Sequence, residues 1–475
     1  MPRPGPSPDA RLTAARGRVP ALPALPLRSS LPGALWPPLP EAGGATVLAM
    51  LWQLERSERL PRPRRAALQL VQARALIRHA ARHSSAWAAA WKGLGFDPAR
   101  DALTPERFAR LPVVDRGWLQ AAGTAASCEA VPPEHGALHE AETAGTTGLA
   151  LRFRGTLLSQ FMWRAITLRD HLWHRRDFSG HLAALRPLPM REVREDNWGA
   201  ATAGLCDTGP ATGLSVSESL DEQARWLLQE NPDVLVTQPG NLRALAEWFL
   251  GHGGAPTRLS CLRSTGEPLT PAIRLLAQRA FGLPVEDAYS ARETGYLALQ
   301  CPRHGHLHVQ EEAVILELLD EKGVAVPPGA PGRVVVTVLH NFASPLVRYD
   351  TGDWAVAGAP ACDCGRTLAT LERVLGRGRN RLRRSDGVPR WPAFDPWLLP
   401  GTQGLVDWQV RQQGPRRFEM LLVVGECFDA ASRDVFARAL GADLGEPCEV
   451  TFRVVDRIDR GPGERREPFI DLQAS

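Results

Sequence analysis

The chain has 475 residues, of which 44% are hydrophobic and 23% are charged, the balance of an ordinary globular protein. A chain of this length is expected to form roughly two or three domains. No apolar run approaches the ~20 residues that cross a membrane, and a formal net charge of +4 is too small to favour nucleic acid as a partner. These figures exclude a wholly disordered chain, a collagen and a small disulfide scaffold.

The basic residues are almost all arginine. Only Lys92 and Lys322 are lysine, so 54 of the 56 basic residues are arginine, a bias that GC-rich coding explains. The eight cysteines do not make a disulfide framework in a chain this long. The first residues contain no continuous apolar segment followed by a small-residue cleavage site, so we expect a cytoplasmic protein.

The amino-terminal part of the chain changes from irregular to helical. Residues 1–45 are rich in Pro, Ala, Gly and Arg without periodicity, which predicts a disordered tail or a start codon assigned too far upstream. Helical spacing begins near Val47 and continues through residues 64–82. The next helical pattern covers residues 103–119, where Thr104 is suited to cap a helix that has Pro105 at its first position.

From residue 141 onward, short apolar strands alternate with helices. Strand patterns at residues 233–237, 259–265 and 285–289 alternate with helical patterns at 240–250 and 271–281. Alternation of this kind predicts a parallel sheet and an α/β fold.

The pattern becomes β-rich at residues 313–356, and a junction follows at 376–387. Beyond the junction, strands at 406–410, 418–424 and 448–455 with a helix at 430–440 predict a small α+β domain. The sequence therefore predicts an α/β protein with a large domain at 46–376 and a small one at 377–475.

A glycine- and threonine-rich loop is the sharpest local signal. Backbone N–H groups and hydroxyls of such a loop can close on phosphate oxygens, because no bulky side chain blocks the approach. It is not a Walker P-loop, since no Gly-Lys-Ser/Thr follows, and a plain surface turn is the alternative. Its candidate phosphate-binding residues are Thr143, Gly145, Thr146, Thr147 and Gly148.

Three further segments add chemistry. Tyr289 and Glu293 stand four residues apart after a strand, so that a ring could lie against a base and a carboxylate could hold Mg²⁺. Asp353 follows an apolar strand, where we expect a tight turn and a carboxylate suited to ribose hydroxyls. Arg377 opens the junction before the small domain. Alone, each has a plain structural alternative: a surface charge for Glu293, a turn former for Asp353, and one more arginine for Arg377.

The motifs, in this order, resemble the adenylate-forming acyl ligases. The order is Thr-Ala-Gly-Thr-Thr-Gly, then Gly-Glu-Pro at residues 266–268, Tyr-x3-Glu, Arg-Tyr-x-Thr-Gly-Asp and Gly-Arg. Within that superfamily the chain is most similar to the phenylacetate–CoA ligase family. The resemblance runs from about residue 65 to the carboxyl terminus and is most specific over residues 266–377.

The resemblance implies a large nucleotide-binding domain of layered sheets and helices with a mobile small domain. Such enzymes join a carboxylic acid to AMP with loss of pyrophosphate, then rotate the small domain and pass the acyl group to a thiol. The implied ligands are ATP or AMP, Mg²⁺, an acid that we expect to be aromatic, and coenzyme A or a carrier protein. Matching positions are the phosphate loop, Gly266, Glu267 and Pro268 for the adenylate pocket, Asp287 and Tyr289 for adenine, Glu293 for Mg²⁺, Asp353 for ribose and Arg377 for the hinge.

A second set of residues suits zinc. Three thiolates and one imidazole make a closed tetrahedral site, and the candidates are Cys301, His308, Cys362 and Cys364. The Cys-x-Cys spacing is weak evidence alone, but related ligases carry cysteines and a histidine at matching places, which favours structural zinc. Free thiols are the alternative, and His304 or His306 could replace His308.

The sequence departs from the family pattern near its carboxyl terminus. Glu464 stands where the family has a lysine that neutralises the reacting groups, and no lysine follows Lys322. Arg465 or Arg466 could replace that charge, although a guanidinium is wider and places its charge differently. The alternative function is therefore a non-catalytic protein that binds an adenylate and acts as a partner.

The acid and its acceptor are less well defined by the sequence. We expect the acid pocket at residues 198–210, 238–241 and 288–289, where Trp198 suits a flat acid but core packing explains it equally well. Arginines at 379–384 are a hypothetical contact for an acidic carrier protein. Homodimerisation stays open, and we expect neither nucleic acid nor a membrane as a partner.

Overall fold

The computed structural model describes residues 25–142, 151–387, 389–399, 402–429, 431–458 and 467–472. The predicted phosphate loop at 143–150 and the residues Glu464, Arg465 and Arg466 lie outside these ranges. Within the described ranges, no helix has the length and apolar character needed to cross a membrane.

The amino-terminal region is helical. Its helices are α1 (Ala42–Ser57), α2 (Arg62–His83), α3 (Ser85–Ala90), α4 (Pro105–Ala109) and α5 (Arg116–Ala122). The single helix predicted at 103–119 is wrong: the structure has two short helices, because Pro112 cannot continue the first and Asp115 caps the second by accepting from the Trp118 N–H at 2.8 Å. The predicted cap is confirmed, since the Thr104 side chain accepts from the Arg107 N–H.

The predicted disorder through residue 45 differs from the structure after residue 24. Leu27 forms an isolated antiparallel bridge with Cys206, and the Arg28 N–H donates to the Leu205 carbonyl at 2.9 Å. Leu25 and Leu27 pack against a buried apolar cluster. The Pro- and Arg-rich composition concealed these two leucines, whose partial burial fixes the segment to this apolar cluster.

A mixed α/β region follows. Its elements in chain order are β1 (Leu138–Glu142), β2 (Arg152–Thr156), α6 (Leu157–Trp173), β3 (Leu182–Arg186), β4 (Glu192–Glu195), β5 (Ala211–Ser215), α7 (Leu220–Glu230), β6 (Val234–Thr237), α8 (Pro239–His252), β7 (Cys261–Thr265), α9 (Pro271–Phe281), β8 (Val285–Ala291), β9 (Gly295–Gln300), β10 (Leu307–Val309), β11 (Val314–Leu319), β12 (Pro331–Val338), β13 (Tyr349–Ala357) and β14 (Thr370–Arg377).

Among the described residues, twelve of these strands form one sheet in the order β11-β12-β13-β14-β10-β9-β8-β7-β6-β3-β5-β4. Strands β5, β3, β6, β7 and β8 pair in parallel, and the remaining pairs are antiparallel. The predicted α/β class is therefore confirmed. The parallel strands β7 and β8 end next to the candidate motifs, at the carboxyl edge where α/β sheets bind ligands.

The carboxyl-terminal region has its own sheet and core. Its elements are β15 (Leu382–Arg383), β16 (Pro389–Arg390), β17 (Leu405–Gly414), β18 (Arg417–Val424), α10 (Ser432–Leu444), β19 (Glu449–Val454) and β20 (Phe469–Asp471). A four-stranded sheet has the order β19-β18-β17-β20. Side chains such as Trp408, Phe418 and Phe436 form a cluster separate from the core of the large sheet.

Candidate active site

One cleft at the carboxyl edge of the large sheet collects most of the predicted nucleotide-binding residues. It encloses about 770 Å³, counting the part that is open to solvent. Strand β7 leads into one wall of the cleft, β8 forms a second, and β13 and β14 form the third. The predicted residues that line it are Gly266, Glu267, Pro268, Asp287, Tyr289, Asp353 and Arg377.

Asp353 is the centre of a polar contact between three strands. The Tyr289 hydroxyl donates to Asp353 Oδ2 at 2.8 Å, and Arg377 Nε lies 3.1 Å from Asp353 Oδ1. Burial, and after it the charge of Asp353, raises the pKa of Tyr289 well above its ordinary value, so this hydroxyl remains a donor. The Arg377 guanidinium also donates to the Thr351 carbonyl.

The turn predicted at Asp353 is wrong, because this residue lies inside β13. Its register partner is Arg377 at the end of β14, so the ion pair forms between adjacent strands. Gly352 has a φ of +76°, a conformation that glycine adopts without strain. The register between β13 and β14 shifts shortly after it, between Trp354 and Ala355.

Glu267 and Asp287 are held by backbone and hydroxyl groups. Glu267 Oε2 accepts from the Gly240 N–H at 2.9 Å, in the first turn of α8, where the helix dipole favours a negative charge. Ser264 Oγ donates to Asp287 Oδ1 at 3.2 Å, and burial raises the pKa of Asp287. Both carboxylates therefore have structural partners in addition to facing the cleft.

Glu293 lies at the boundary between this cleft and a second cavity. The nucleotide cleft extends along β8 to Ala291, and the second cavity begins at the next residue, Arg292. Glu293 is buried. Although burial opposes it, the carboxylates of Asp353 and Glu293 raise the pKa of Arg377.

The second cavity encloses about 800 Å³, again counting its open part, between α6, β9 and the hairpin β1–β2. The rings of Trp163 and Tyr296 are stacked in its wall, with centroids 6.1 Å apart and planes 16° apart. The Tyr296 hydroxyl accepts from Arg263 Nη2 at 3.1 Å. His139 and Gln160 line the same cavity and are hydrogen-bonded to each other at 3.1 Å. None of these residues was singled out from the sequence; Tyr296 offered one signal, because it follows Glu293 by three residues.

Trp198, which was expected to line the acid pocket, belongs to a buried apolar cluster. Trp198 packs on Phe178 and donates from Nε1 to the Gly180 carbonyl at 2.9 Å, which confirms the core-packing interpretation. Residues 288–289 line the nucleotide cleft, and Gly240 touches its edge through Glu267.

The hairpin β1–β2 brings both ends of the predicted phosphate loop to the second cavity. Glu142 pairs with Arg152 across the hairpin, and Arg292 Nη1 donates to the Glu142 carbonyl at 2.8 Å. The loop residues Thr143, Gly145, Thr146, Thr147 and Gly148 lie outside the described residues.

The predicted zinc ligands converge. The ligand atoms of Cys301, His308, Cys362 and Cys364 all lie within 4.8 Å of one another. Cys301 Sγ and Cys362 Sγ are 3.9 Å apart, and Cys364 Sγ is 3.3 Å from His308 Nε2. Zinc–sulfur bonds of about 2.3 Å in a tetrahedron separate two sulfurs by about 3.8 Å, so the four residues fit Zn²⁺.

Local packing distinguishes His308 from the alternative histidines. The rings of His308 and Trp173 pack edge to face with centroids 5.9 Å apart. His304, in contrast, is exposed, and its Nε2 lies 2.5 Å from Oδ1 of the exposed Asp363. Hydrogen bonding with Cys301, followed by that with His308, lowers the pKa of Cys364, whereas hydrogen bonding with Cys364 raises the pKa of Cys301.

The arginines at 379–384 already have partners within the chain. Arg379 pairs with Glu467, Arg381 with Glu321, Arg383 with Asp471 and Arg384 with Asp386. Arg379 and Glu467 also line the nucleotide cleft, and the sequence assigned neither residue to it.

Individual known proteins are similar to this chain. No family model matches the chain. A phenylacetate–coenzyme A ligase of Thermus thermophilus is 29% identical over 312 residues, covering 58% of this chain and 70% of the relative. A phenylacetate–coenzyme A ligase of Aromatoleum evansii is 25% identical over 342 residues, covering 69% and 74%.

A solved structure supports the same fold. The 2-hydroxyisobutyryl-CoA ligase in its postadenylation state, in complex with R3-HIB-AMP, superposes with a TM-score of 0.71 at 20% identity, over 88% of this chain and 92% of that one. Together with the cleft geometry, these comparisons show that the chain is similar to phenylacetate–coenzyme A ligases, as its motifs predicted, and that it shares the fold of this solved CoA ligase.

Proposed function

We propose that this protein is an ATP-dependent ligase that activates a carboxylic acid as an acyl-AMP and transfers the acyl group to the thiol of coenzyme A. The observation that carries the proposal is the Tyr289–Asp353–Arg377 contact inside one cleft with Gly266, Glu267 and Pro268. The names of the relatives support an acid and coenzyme A as substrates.

The residues of the cleft suit a nucleoside. Each oxygen of Asp353 already accepts one protein donor, and a carboxylate has about four lone-pair sites, so it can also accept ribose hydroxyls. The rings of Tyr289 and Pro268 face the same space and offer apolar surface to a base. Arg377 holds Asp353 in one orientation through its contact with Oδ1.

The second cavity suits the acid. It adjoins the nucleotide cleft at Arg292 and Glu293, so a carboxylate bound there could meet the α-phosphate at the boundary. The stacked pair Trp163 and Tyr296 offers a flat apolar wall, which supports an aromatic acid. In the first step, a carboxylate oxygen attacks the α-phosphorus and pyrophosphate leaves, a reaction in which positioning and charge neutralisation supply most of the rate.

Two metal ions complete the proposal. Glu293 is the carboxylate that would hold Mg²⁺, whose other ligands would be phosphate oxygens and water; the ion would neutralise phosphate charge. Zn²⁺ bound by Cys301, His308, Cys362 and Cys364 would be structural, because these four residues close its coordination.

The boundary between the two domains belongs at Arg377. This residue ends β14 of the large sheet, and Leu382 five residues later already belongs to the core of the small domain. We propose residues 46–376 as the large domain and 377–475 as the small domain that changes its orientation for the transfer step.

A non-catalytic adenylate-binding protein is the second candidate, because Glu464 replaces the family lysine and no lysine follows Lys322. A negative charge beside a polyphosphate reverses the sign of the electrostatic contribution.

The two candidates are separated by measuring pyrophosphate release with ATP and Mg²⁺ over a panel of aryl, arylacetic and fatty acids. We expect acid-dependent release from the unmodified protein. Release that requires Glu464→Lys would instead establish the non-catalytic candidate. Silence of both proteins toward every acid would contradict the ligase assignment for these acid classes.

A further inference from the structure

An ion pair closes part of the nucleotide cleft between the two halves of the chain. Arg379 lies in the 3-10 turn Gly378–Asn380 directly after β14, and its guanidinium contacts the carboxylate of Glu467. Both side chains line the cleft and are partly exposed, by 31% and 21%. The pair therefore stands where an entering nucleotide could reach it.

Glu467 is held in place by its backbone. Gln409 Nε2 donates to the Glu467 carbonyl at 3.0 Å, and the Val410 N–H donates to the Pro468 carbonyl at 2.8 Å. Both donors belong to β17 of the small domain. The carboxylate consequently reaches across to Arg379 from a segment that is hydrogen-bonded to β17.

The charges that line the cleft are predominantly negative. Four carboxylates face it, and within the described residues the cations of its lining are Arg377 and Arg379; the carboxylates are Glu267, Asp287, Asp353 and Glu467. A polyphosphate entering this cleft needs a cation that can give up its present partner. Arg377 cannot do so without releasing Asp353 and Thr351.

Arg379 has spare donor capacity. A guanidinium carries five N–H donors, and its Nε is buried without a hydrogen-bond partner among the described residues. Its Nη2 contacts the Glu467 carboxylate, so a phosphate that takes this position displaces Glu467. A phosphate group fits such a fork in a bidentate manner.

We propose that Arg379 is a phosphate-binding residue of this cleft and that Glu467 competes with the nucleotide phosphate for it. In the nucleotide-free protein, Glu467 neutralises Arg379; when a nucleotide enters, Arg379 exchanges this carboxylate for a phosphate oxygen, and Glu467 turns toward solvent. The inference rests on the proposed function, because it takes the bound nucleotide from it. It gives this lysine-poor chain a cation at the cleft without relying on Arg465.

The competition has a signature that a merely structural ion pair lacks. If the pair only held the domains together, neutralising either partner would weaken nucleotide binding in the same direction. Competition gives opposite signs: Arg379→Ala removes the phosphate donor, whereas Glu467→Gln removes the competitor and leaves the donor.

The test is calorimetric titration of the full-length protein with ATP, AMP and adenosine in the presence of Mg²⁺. We expect Arg379→Ala to weaken ATP binding about tenfold or more and Glu467→Gln to strengthen it several-fold, the scale of one charge-assisted hydrogen bond. Arg379→Lys keeps the charge and should recover part of the affinity. Adenosine, which has no phosphate, should bind all variants equally. An effect on AMP as well as ATP would identify the α-phosphate as the partner, and an effect on ATP alone the outer phosphates.

Glu321→Gln is the matched control, because it removes the partner of neighbouring Arg381 at 3.2 Å without touching the cleft. Unchanged or weakened ATP binding in Glu467→Gln would overturn the proposal, as would an equal effect on adenosine. Should Arg379→Ala fail to fold, Glu467→Gln and Arg379→Lys decide the matter. If the unmodified protein binds neither ATP nor adenosine, the proposed function fails, and the inference fails with it. If the unmodified protein binds ATP but the Arg379 and Glu467 variants bind it with the same affinity, the inference alone fails.

Discussion

Asp353 joins the parts of the candidate site at the scale of single residues. Its two oxygens are shared between the Tyr289 hydroxyl and the Arg377 guanidinium, which come from different strands of one twisted sheet. A carboxylate that accepts from two donors is held in one orientation, and it keeps further lone pairs on the side that lines the cleft. In the function that we propose, these lone pairs would accept the ribose hydroxyls.

Asp353→Asn should weaken AMP binding by about ten- to a hundredfold, since it removes a charged acceptor and leaves Arg377 without its ion pair. Tyr289→Phe should have a smaller effect, because the ring that faces the cleft is retained. Calorimetric titration with AMP measures both.

The control for this prediction lies on the same strand. Asp350→Asn breaks a comparable pair with Arg333 at 2.9 Å that does not line the cleft, so AMP affinity should stay unchanged. Equal losses in Asp350→Asn and Asp353→Asn would show that disruption of β13, rather than a contact with ribose, explains the result.

The sequence predicted which residues meet in the nucleotide cleft better than how they are held. Asp353 and Arg377 were predicted individually, but their pairing depends on the register of β13 with β14, which involves residues distant in sequence. Trp198 was ambiguous for the same reason, because a ring in a core and a ring in a pocket have the same local pattern. Glu467 carried no signal, since its place in the cleft depends on how the two domains meet.

At the scale of elements, the four candidate zinc ligands join two separate connections of the large sheet. Cys301 and His308 flank the turn between β9 and β10, and Cys362 and Cys364 belong to the segment between β13 and β14. Strand β10 is short and lies between β9 and β14. A metal at this point would fix that strand and the long connection beside it.

Purified protein should therefore contain one zinc ion per chain, as measured by elemental analysis. Cys364→Ser should lower the zinc content and destabilise the protein by more than about 4 kcal/mol, the scale that loss of a structural metal brings. Thermal unfolding with and without a chelator measures the stability.

Cys427→Ser is the matched control, because Cys427 is exposed and distant from the four ligands in the chain. It should change neither zinc content nor melting temperature. If the unmodified protein contained no zinc and Cys364→Ser did not change the melting temperature, these four residues would be ordinary cysteine and histidine side chains without a metal.

At the scale of the whole molecule, Arg243 connects the two domains that we propose. Arg243 in α8 lies with its guanidinium 3.5 Å from the ring centre of Trp397 and donates from Nη2 to the Val406 carbonyl at 3.0 Å. The side chain is buried, so both contacts are shielded from water. If the small domain changes orientation for acyl transfer, as we propose, these contacts must break and re-form in each cycle.

Arg243→Ala should consequently act on the balance of domain orientations rather than on either chemical site. Acid-dependent pyrophosphate release should fall several-fold, because Arg243 no longer holds the carboxyl-terminal region in the orientation seen here. Formation of thioester from added acyl-AMP should be unchanged or faster, since the Arg243 contacts no longer oppose rotation of the small domain. Trp397→Ala should have the same effects as Arg243→Ala. The double variant should show little further change, because both substitutions break the same contact.

Arg225→Ala is the control: it removes an exposed arginine of α7 that is bonded to the Asp221 carbonyl of its own helix, and it should leave both half-reactions intact. A parallel loss of both half-reactions in Arg243→Ala would mean that the contact maintains the fold and does not select an orientation.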